Sequence, residues 1–306
     1  MTKSDEQFPG GLATAPAGPT TWRHYLELTK PRLSFMSVIT AMVGYLAALP
    51  YWDWSRTFYL MLGTGLCAGG VAAINQWMES ELDAKMKRTA DRPIPTGAIQ
   101  PGSAFIVGWL MCIAGLAVLF RQVNGMSTFL ALATIVAYLA IYTPAKRWSR
   151  WNTEIGAISG ALPPMIGWAA AGRSNDPLGW TLFAILYTWQ MPHFFALCWT
   201  YRKDYAAAGM KMISVTDPSG RKVSRRAFIW CVLLVAASLL PTLLGYCSWY
   251  YFTVAAVLGL WILRSAILFL NPARRETEAR TLFLISIAYL PLLLVFLVAD
   301  RLYFRL

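Results

Sequence analysis

The stretch that decides the reading is TFYLMLGTGLCAGGVAAINQWMESELDAKMKRTADRP, residues 57–93. Its first twenty residues, 57–76, are an apolar run of the length a helix needs to cross a hydrocarbon core of about 30 Å. If the helix continues past that run, Asn75, Glu79 and Asp83 follow one another in steps of four. Each step advances only roughly 40° around the axis, so the three side chains rise in a nearly straight row while Glu81 points away. Amide and carboxylate oxygens are what a hard cation such as Mg²⁺ prefers, and Mg²⁺ keeps positions for water or phosphate. Lys85, Lys87, Arg88 and Arg92 follow at once. Arginine meets phosphate oxygens with paired hydrogen bonds, so this loop is a candidate diphosphate site. The bland alternative is an interfacial loop of solvated ion pairs, which contribute little.

Working outward, apolar runs recur along almost the whole chain. Hydrophobic residues make up 57%, charged residues 14%, and the mean hydropathy is +0.47, outside the range of an ordinary soluble domain. The expected fold class is all-α integral membrane, with nine transmembrane helices around a central cavity. The expected spans are 33–50, 57–76, 103–121, 127–143, 154–172, 178–200, 227–246, 249–271 and 281–299. The eighth carries Arg264 in its interior. Residues 1–32 read as a flexible cytoplasmic tail, 33–300 as a single transmembrane domain, and 301–306 as a short C-terminal tail.

Of the 27 Lys and Arg residues, all but Arg56, Arg121, Arg173, Arg264, Arg301 and Arg305 fall on the side of the chain that holds the N-terminus. Cytoplasmic loops keep such an excess, which places the N-terminus in the cytoplasm. The net charge of +12 is therefore explained by topology and anionic headgroups, and nucleic acid is not an expected partner. Asp5 and Glu6 argue against a mitochondrial transit peptide, and no secretory signal precedes the first span; a bacterial inner membrane is the expected location. Cys67, Cys112, Cys198, Cys231 and Cys247 lack metal-ligand spacing and read as packing residues. His24 and His193 are the only histidines, which argues against a permanently bound bis-histidine haem.

Further informative segments lie on the cytoplasmic side or inside spans. WQMPHFFALCWTYRKDY makes a polar island of Trp189, Gln190 and His193 in the sixth span, with Tyr201, Asp204 and Tyr205 at its end. A histidine inside a span marks a functional-site candidate, against the plainer reading of a bond to a neighbouring helix. Were the helix continuous, His193 and Asp204 would share a face at heights roughly 16 Å apart. YTPAKR supplies Tyr142, Lys146 and Arg147, with Pro144 marking the helix exit. Pro163 and Pro164 predict a break in the fifth span, where non-helical backbone must be buried or line a cavity.

The segments NQWMESELDAKMKRTADRP, YTPAKR, GALPPMIGW, WQMPHFFALCW and RKDYAAAGMKMISVTDP together resemble the UbiA-type intramembrane prenyltransferases. DxKMxRTxxRP and WQxPHF resemble the haem-modifying branch in particular; beyond residue 227 only the hydropathy matches. The resemblance implies an Mg²⁺-dependent diphosphate site, with Asn75, Glu79 and Asp83 as metal ligands joined by Asp204. It implies that Arg88, Arg92, Lys146, Arg147 and Lys211 bind diphosphate. Tyr142, Trp189, Gln190, His193, Tyr201 and Tyr205 are then expected around the haem and prenyl groups. Farnesyl diphosphate and protohaem IX are the implied substrates, the farnesyl group passing to a vinyl group with water added. Membrane lipid, haem A synthase and terminal-oxidase assembly are the implied partners. Two departures stand out: Glu79 replaces a common Asp, and the usual second DxxxD has Ala208 in place of its second carboxylate. A prenyltransferase acting on an aromatic or quinone precursor would carry the full second motif. A secondary transporter would show internal repeats and a midplane site, neither of which is evident. A purely structural assembly factor would leave the row of metal-capable oxygens unexplained.

Overall fold

The computed structural model describes residues 20–49 and 53–303. Most of the expected tail, with Lys3, Asp5 and Glu6, and the last three residues lie outside them. In chain order the helices are α1 (Trp22–Leu28), α2 (Pro31–Ala48), α3 (Trp54–Asp83), α4 (Pro101–Gln122) and α5 (Gly125–Val136). A π-helical stretch, Ala137–Tyr142, runs directly into α6 (Thr143–Trp148). Then come α7 (Asn152–Ala161), α8 (Pro163–Ala170), α9 (Pro177–Thr200), α10 (Arg202–Ala207), α11 (Ile213–Thr216), α12 (Arg221–Leu243), α13 (Trp249–Leu270) and α14 (Arg275–Tyr303). The fold is an all-helical membrane fold. Among the described residues, seven rods are long and apolar enough to cross a bilayer: α2, α3, α4, the continuous α5–α6 rod, α12, α13 and α14.

Two further predicted spans coincide with helical segments of another character. The fifth is divided at Leu162, between α7 and α8. Pro163 and Pro164 lack the N–H groups that would continue the ladder, so the chain restarts with them in its first turn, and both are buried. The sixth is α9, whose apolar character is diluted by Gln190 and His193.

Close packing rests on small residues, as expected where lipid gives helices no hydrophobic reason to associate. A Cβ at Gly70 would stand 2.5 Å from the Gly108 carbonyl oxygen, and one at Gly115 would stand 2.7 Å from that of Gly63, so α3 and α4 meet backbone to backbone. A Cβ at Gly44 or Gly167 would meet the carbonyls of Pro164 and Ala41 at 2.1 and 1.8 Å, which fixes α2 against α8. All five cysteines are buried and free. Arg264 faces outward, exposed, from α13.

The expectation of a loose segment up to residue 32 needs correction within the described residues. Leu28, fully buried, packs with Ala73, Ile94, Ile99 and Ala104. Gln76 donates to the Leu28 carbonyl at 2.9 Å, and Thr20 to that of Ala98 at 2.7 Å. The entry to the first span is thus folded onto the end of α3. The expected exit at Pro144 also shifts: the helix continues to Trp148. The π turn accommodates the proline, with the Thr143 N–H reaching back to the Tyr138 carbonyl. Such turns recur at functional sites.

Candidate active site

Helix α3 runs unbroken through the charged row, and Asn75, Glu79 and Asp83 are 1%, 4% and 1% exposed, while Glu81 is exposed. Thr89 ends the helix by donating to the Asp83 carbonyl at 2.9 Å. The Asn75 amide donates to Glu79 Oε2 at 3.0 Å and to the Thr143 hydroxyl at 3.3 Å. That second bond joins the row to the turn after the π-helical stretch.

Each oxygen-bearing side chain of the row is met by a different cation. Lys30 Nζ donates to Asn75 Oδ1 at 2.8 Å. Lys146 Nζ lies 2.9 and 3.1 Å from the two Glu79 oxygens and 4.6 Å from the centroid of the Tyr142 ring. Arg92 Nη1 lies 2.5 Å from Asp83 Oδ2. Buried carboxylates demand such pairing. The pairing also shows that the pocket accepts positive charge at three adjacent points. Glu79 Oε1 is buried and makes no hydrogen bond despite its nearby ammonium. Two carboxylates and an amide oxygen form a hard donor set that suits Mg²⁺.

Lys30 is the functional candidate that sequence reading missed, because its charge was already explained as topogenic. It holds a left-handed backbone, φ 47°, immediately before Pro31. That is a strained choice for a lysine, imposed where the chain turns into α2. Burial, then the charges of Arg92 and Lys146, pull its ammonium down to about 7.

The remaining predicted residues divide. Arg88 is exposed and lies over the Tyr201 ring, 5.2 Å from its centroid. Arg147, also exposed, donates to the Met78 carbonyl at 3.1 Å and so braces α3 rather than meeting a carboxylate. Lys211 participates through its backbone: its N–H donates to the Lys146 carbonyl at 3.1 Å and its carbonyl accepts from Asn152. The structure does not gather Glu79, Asp83 and Asp204 into a three-carboxylate group; no cluster of three His, Cys, Asp or Glu suited to a metal occurs among the described residues. Helix α9 ends at Thr200, Tyr201 leaves helical geometry at φ −100° and ψ 21°, and α10 starts afresh. The continuous face from His193 to Asp204 therefore does not form. Tyr205, the next residue, is the one that enters the field of Arg88, Lys146 and Glu79, and burial raises its phenol.

Two hollows meet at Lys30, which reaches Asn75 of the row. A wider cleft of about 560 Å³ includes Arg23, Lys30, Arg32, Gln76 and Arg92 in its wall. A second cavity of about 150 Å³ runs among α2, α3, α5, α7 and α8, with Lys30 at one place and Ser37, Cys67, Val71, Ile135, Tyr138, Gly160 and Ile166 elsewhere on its lining. None of Tyr142, Trp189, Gln190, His193, Tyr201 or Tyr205 lines it. Gln190 instead spends its amide protons on the Ala157 and Leu186 carbonyls, both at 3.1 Å, tying α9 to α7. His193 and Trp189 lean on α14: His193 Nδ1 is 2.8 Å from the Ser286 hydroxyl, and the Trp189 indole donates to the Ser286 carbonyl at 2.7 Å.

The model of the UbiA prenyltransferase family matches residues 37–288. The chain belongs to the UbiA prenyltransferase family. The match passes well beyond residue 227, where sequence motifs had run out. A protein of Opitutus terrae named protoheme IX farnesyltransferase is 54% identical over 292 residues, covering 95% of this chain and 99% of that protein. One of Solibacter usitatus with the same name is 42% identical, covering 91% and 99%. Among solved structures, a digeranylgeranylglyceryl phosphate synthase superposes with a TM-score of 0.78 at 17% identity, covering 92% of this chain and 98% of that one. A UbiA homolog from Archaeoglobus fulgidus bound to DMAPP and Mg²⁺ gives 0.61 at 16%, covering 90% and 99%. These likenesses establish the UbiA fold. This member is a multi-pass membrane prenyltransferase.

Proposed function

We propose that the protein transfers the farnesyl group of farnesyl diphosphate to a vinyl group of protohaem IX, with water completing the hydroxyethylfarnesyl substituent, and so makes haem O for respiratory oxidases. The observation that carries the donor half is the meeting, at Lys30, of a basic cleft and a largely apolar cavity. An anionic head with an apolar tail is the ligand that such a pair of hollows suits. The acceptor is inferred from the relatives, which share sequence along almost the entire chain.

In this reading Asn75, Glu79 and Asp83 would hold Mg²⁺, without Asp204, which the structure leaves apart from them on α10. Bound Mg²⁺ supplies Lewis-acid neutralisation of the charge that develops on departing diphosphate. Lys30, Arg88, Arg92 and Lys146 turn their donors toward diphosphate oxygens, while Arg147 and Lys211 hold the frame of the site. Preorganised charge of this kind is commonly the largest catalytic contribution; loss of one donor costs about 10²–10³ in rate. The allylic cation is sheltered from water in the apolar cavity, where the Tyr138 ring on its lining offers a π face. The polar island of α9, Trp189 and His193, receives the haem. All nine predicted segments cross a bacterial inner membrane, with the N-terminus and the row on the cytoplasmic side, and residues 33–300 act as one domain. Haem A synthase or oxidase assembly takes the product.

The test is expression in bacteria that lack their own haem-farnesylating enzyme. Extracted haems should contain farnesylated haem with the wild-type chain and lack it with Asp83→Asn, at equal protein in the membrane. Unmodified haem with the wild-type chain, alongside a prenylated aromatic acceptor, would retain the family and overturn the acceptor.

A further inference from the structure

His193, Ser286 and the Phe283 carbonyl form a short chain between α9 and α14. His193 Nδ1 is 2.8 Å from Ser286 Oγ, and Ser286 Oγ is 2.6 Å from the Phe283 carbonyl oxygen. A serine hydroxyl has one proton, and a carbonyl oxygen has none to give. At 2.6 Å two bare oxygens would repel, so the hydroxyl proton lies toward Phe283. Ser286 Oγ must then accept, and Nδ1 must carry a proton. Ser286 is fully buried, which removes water as an alternative partner for its hydroxyl.

The other ring nitrogen is left with its lone pair. Nε2 has no hydrogen-bond partner among the described residues, and His193 is only part-buried. The ring is also held in orientation. It lies nearly parallel to Trp189, centroids 5.0 Å apart at 25°, and 4.7 Å from Phe283 at 32°. Trp189 is itself pinned by its indole bond to the Ser286 carbonyl. A residue serving only to glue two helices would need the Nδ1 bond alone; here an aromatic frame also aims the second nitrogen.

We propose that Ser286 is a positioning residue that fixes His193 as the Nδ1–H tautomer, so that Nε2 presents its lone pair to the iron of the haem acceptor. The inference rests on the haem-farnesylating function proposed above. A histidine that binds metal through one nitrogen almost always donates from the other to an oxygen, and loss of that oxygen typically costs about 10–100-fold in metal affinity.

The test uses the full-length protein in detergent, reduced and titrated with protohaem, read by absorption and by the iron–imidazole stretch in resonance Raman. The wild type should show the stretch and His193→Ala should lose it. Ser286→Ala should bind haem about 10–100-fold more weakly with a shifted stretch, while Ser286→Thr, which keeps the hydroxyl, should restore both. If the alanine variant does not fold, Ser286→Cys, a poor acceptor of similar size, should show the same loss. Wild-type affinity and an unshifted stretch in a folded Ser286 variant lacking the hydroxyl, or a stretch surviving in His193→Ala, would overturn the proposal. Farnesylation in the same preparation separates the two readings. Farnesylated haem without an iron–imidazole stretch leaves the function standing and sinks the ligation; the stretch with its Ser286 dependence, without farnesylation, does the reverse.

Discussion

Replacing Glu79 with Gln separates a metal-binding carboxylate from a merely structural ion pair. Glu79 is 4% exposed, accepts from Asn75 at 3.0 Å and pairs with Lys146 at 2.9 Å. Glutamine keeps the shape and an oxygen for Asn75 but strands the Lys146 ammonium, whose side chain is only 14% exposed. Breaking a buried pair on one side costs about 3–5 kcal/mol of stability. Loss of a charged ligand or donor at the reacting centre costs about 10²–10³ in rate. Both losses are expected in Glu79→Gln. They part company in the double variant Glu79→Gln/Lys146→Met, in which no charge is stranded. Such neutral replacements of a buried pair are often tolerated or stabilising, so the thermal midpoint should return most of the way to that of the wild type. Turnover should remain low, because neither an amide nor a thioether replaces the carboxylate and the diphosphate also loses its Lys146 donor. The assay is release of diphosphate and farnesylated haem over a Mg²⁺ titration, beside thermal unfolding in detergent. Recovery of turnover together with stability would refute the reasoning and reduce Glu79 to a partner for Lys146.

Other outcomes follow from the same contacts. Arg92→Ala, which removes the group 2.5 Å from Asp83, should lower turnover by about 10²–10³; Arg147→Ala, whose guanidinium reaches only the Met78 carbonyl, should stay within about tenfold of wild type in the same assay. Gly160→Ala should lower the thermal midpoint, since its Cβ would stand 1.9 Å from Gln190 Oε1, an overpacking cost of about 1–3 kcal/mol; an unchanged midpoint would show that Gln190 moves freely. Asp217→Ala should destabilise by about 1–2 kcal/mol without altering the Mg²⁺ requirement. Its buried carboxylate accepts from the backbone N–H groups of Lys222 at 2.6 Å and Val223 at 3.2 Å, at the start of α12.

What could be read from sequence was whatever one helix decides by itself. The row of Asn75, Glu79 and Asp83 and the outward Glu81 depend only on helical periodicity, and the break at Leu162 only on two prolines. Readings that needed neighbouring elements fared differently. Lys30 belongs to the site because a left-handed residue before α2 turns the chain toward Asn75, an event without a sequence period. The π turn before Pro144 places Thr143 and Lys146 against α3, where a simple helix exit was expected. Asp204 is separated from His193 by the break at Tyr201, and its neighbour Tyr205 packs against the core. Apart from Lys30 and Tyr138, the cavity is assembled from small or apolar residues on five helices, each unremarkable alone. Gln190, polar and within a span, looked like a substrate contact, yet its amide protons are consumed by two carbonyls.

The most direct measurement is to incubate the purified protein with protohaem, farnesyl diphosphate and Mg²⁺, and to follow the haems by chromatography with mass detection. The expected product is a haem that gains one farnesyl group and one hydroxyl, the water's second proton being released, in step with diphosphate release, and that disappears when Mg²⁺ is chelated. Protohaem left unmodified by a folded protein that prenylates another acceptor, or farnesylated haem formed equally well without divalent cation, would contradict it.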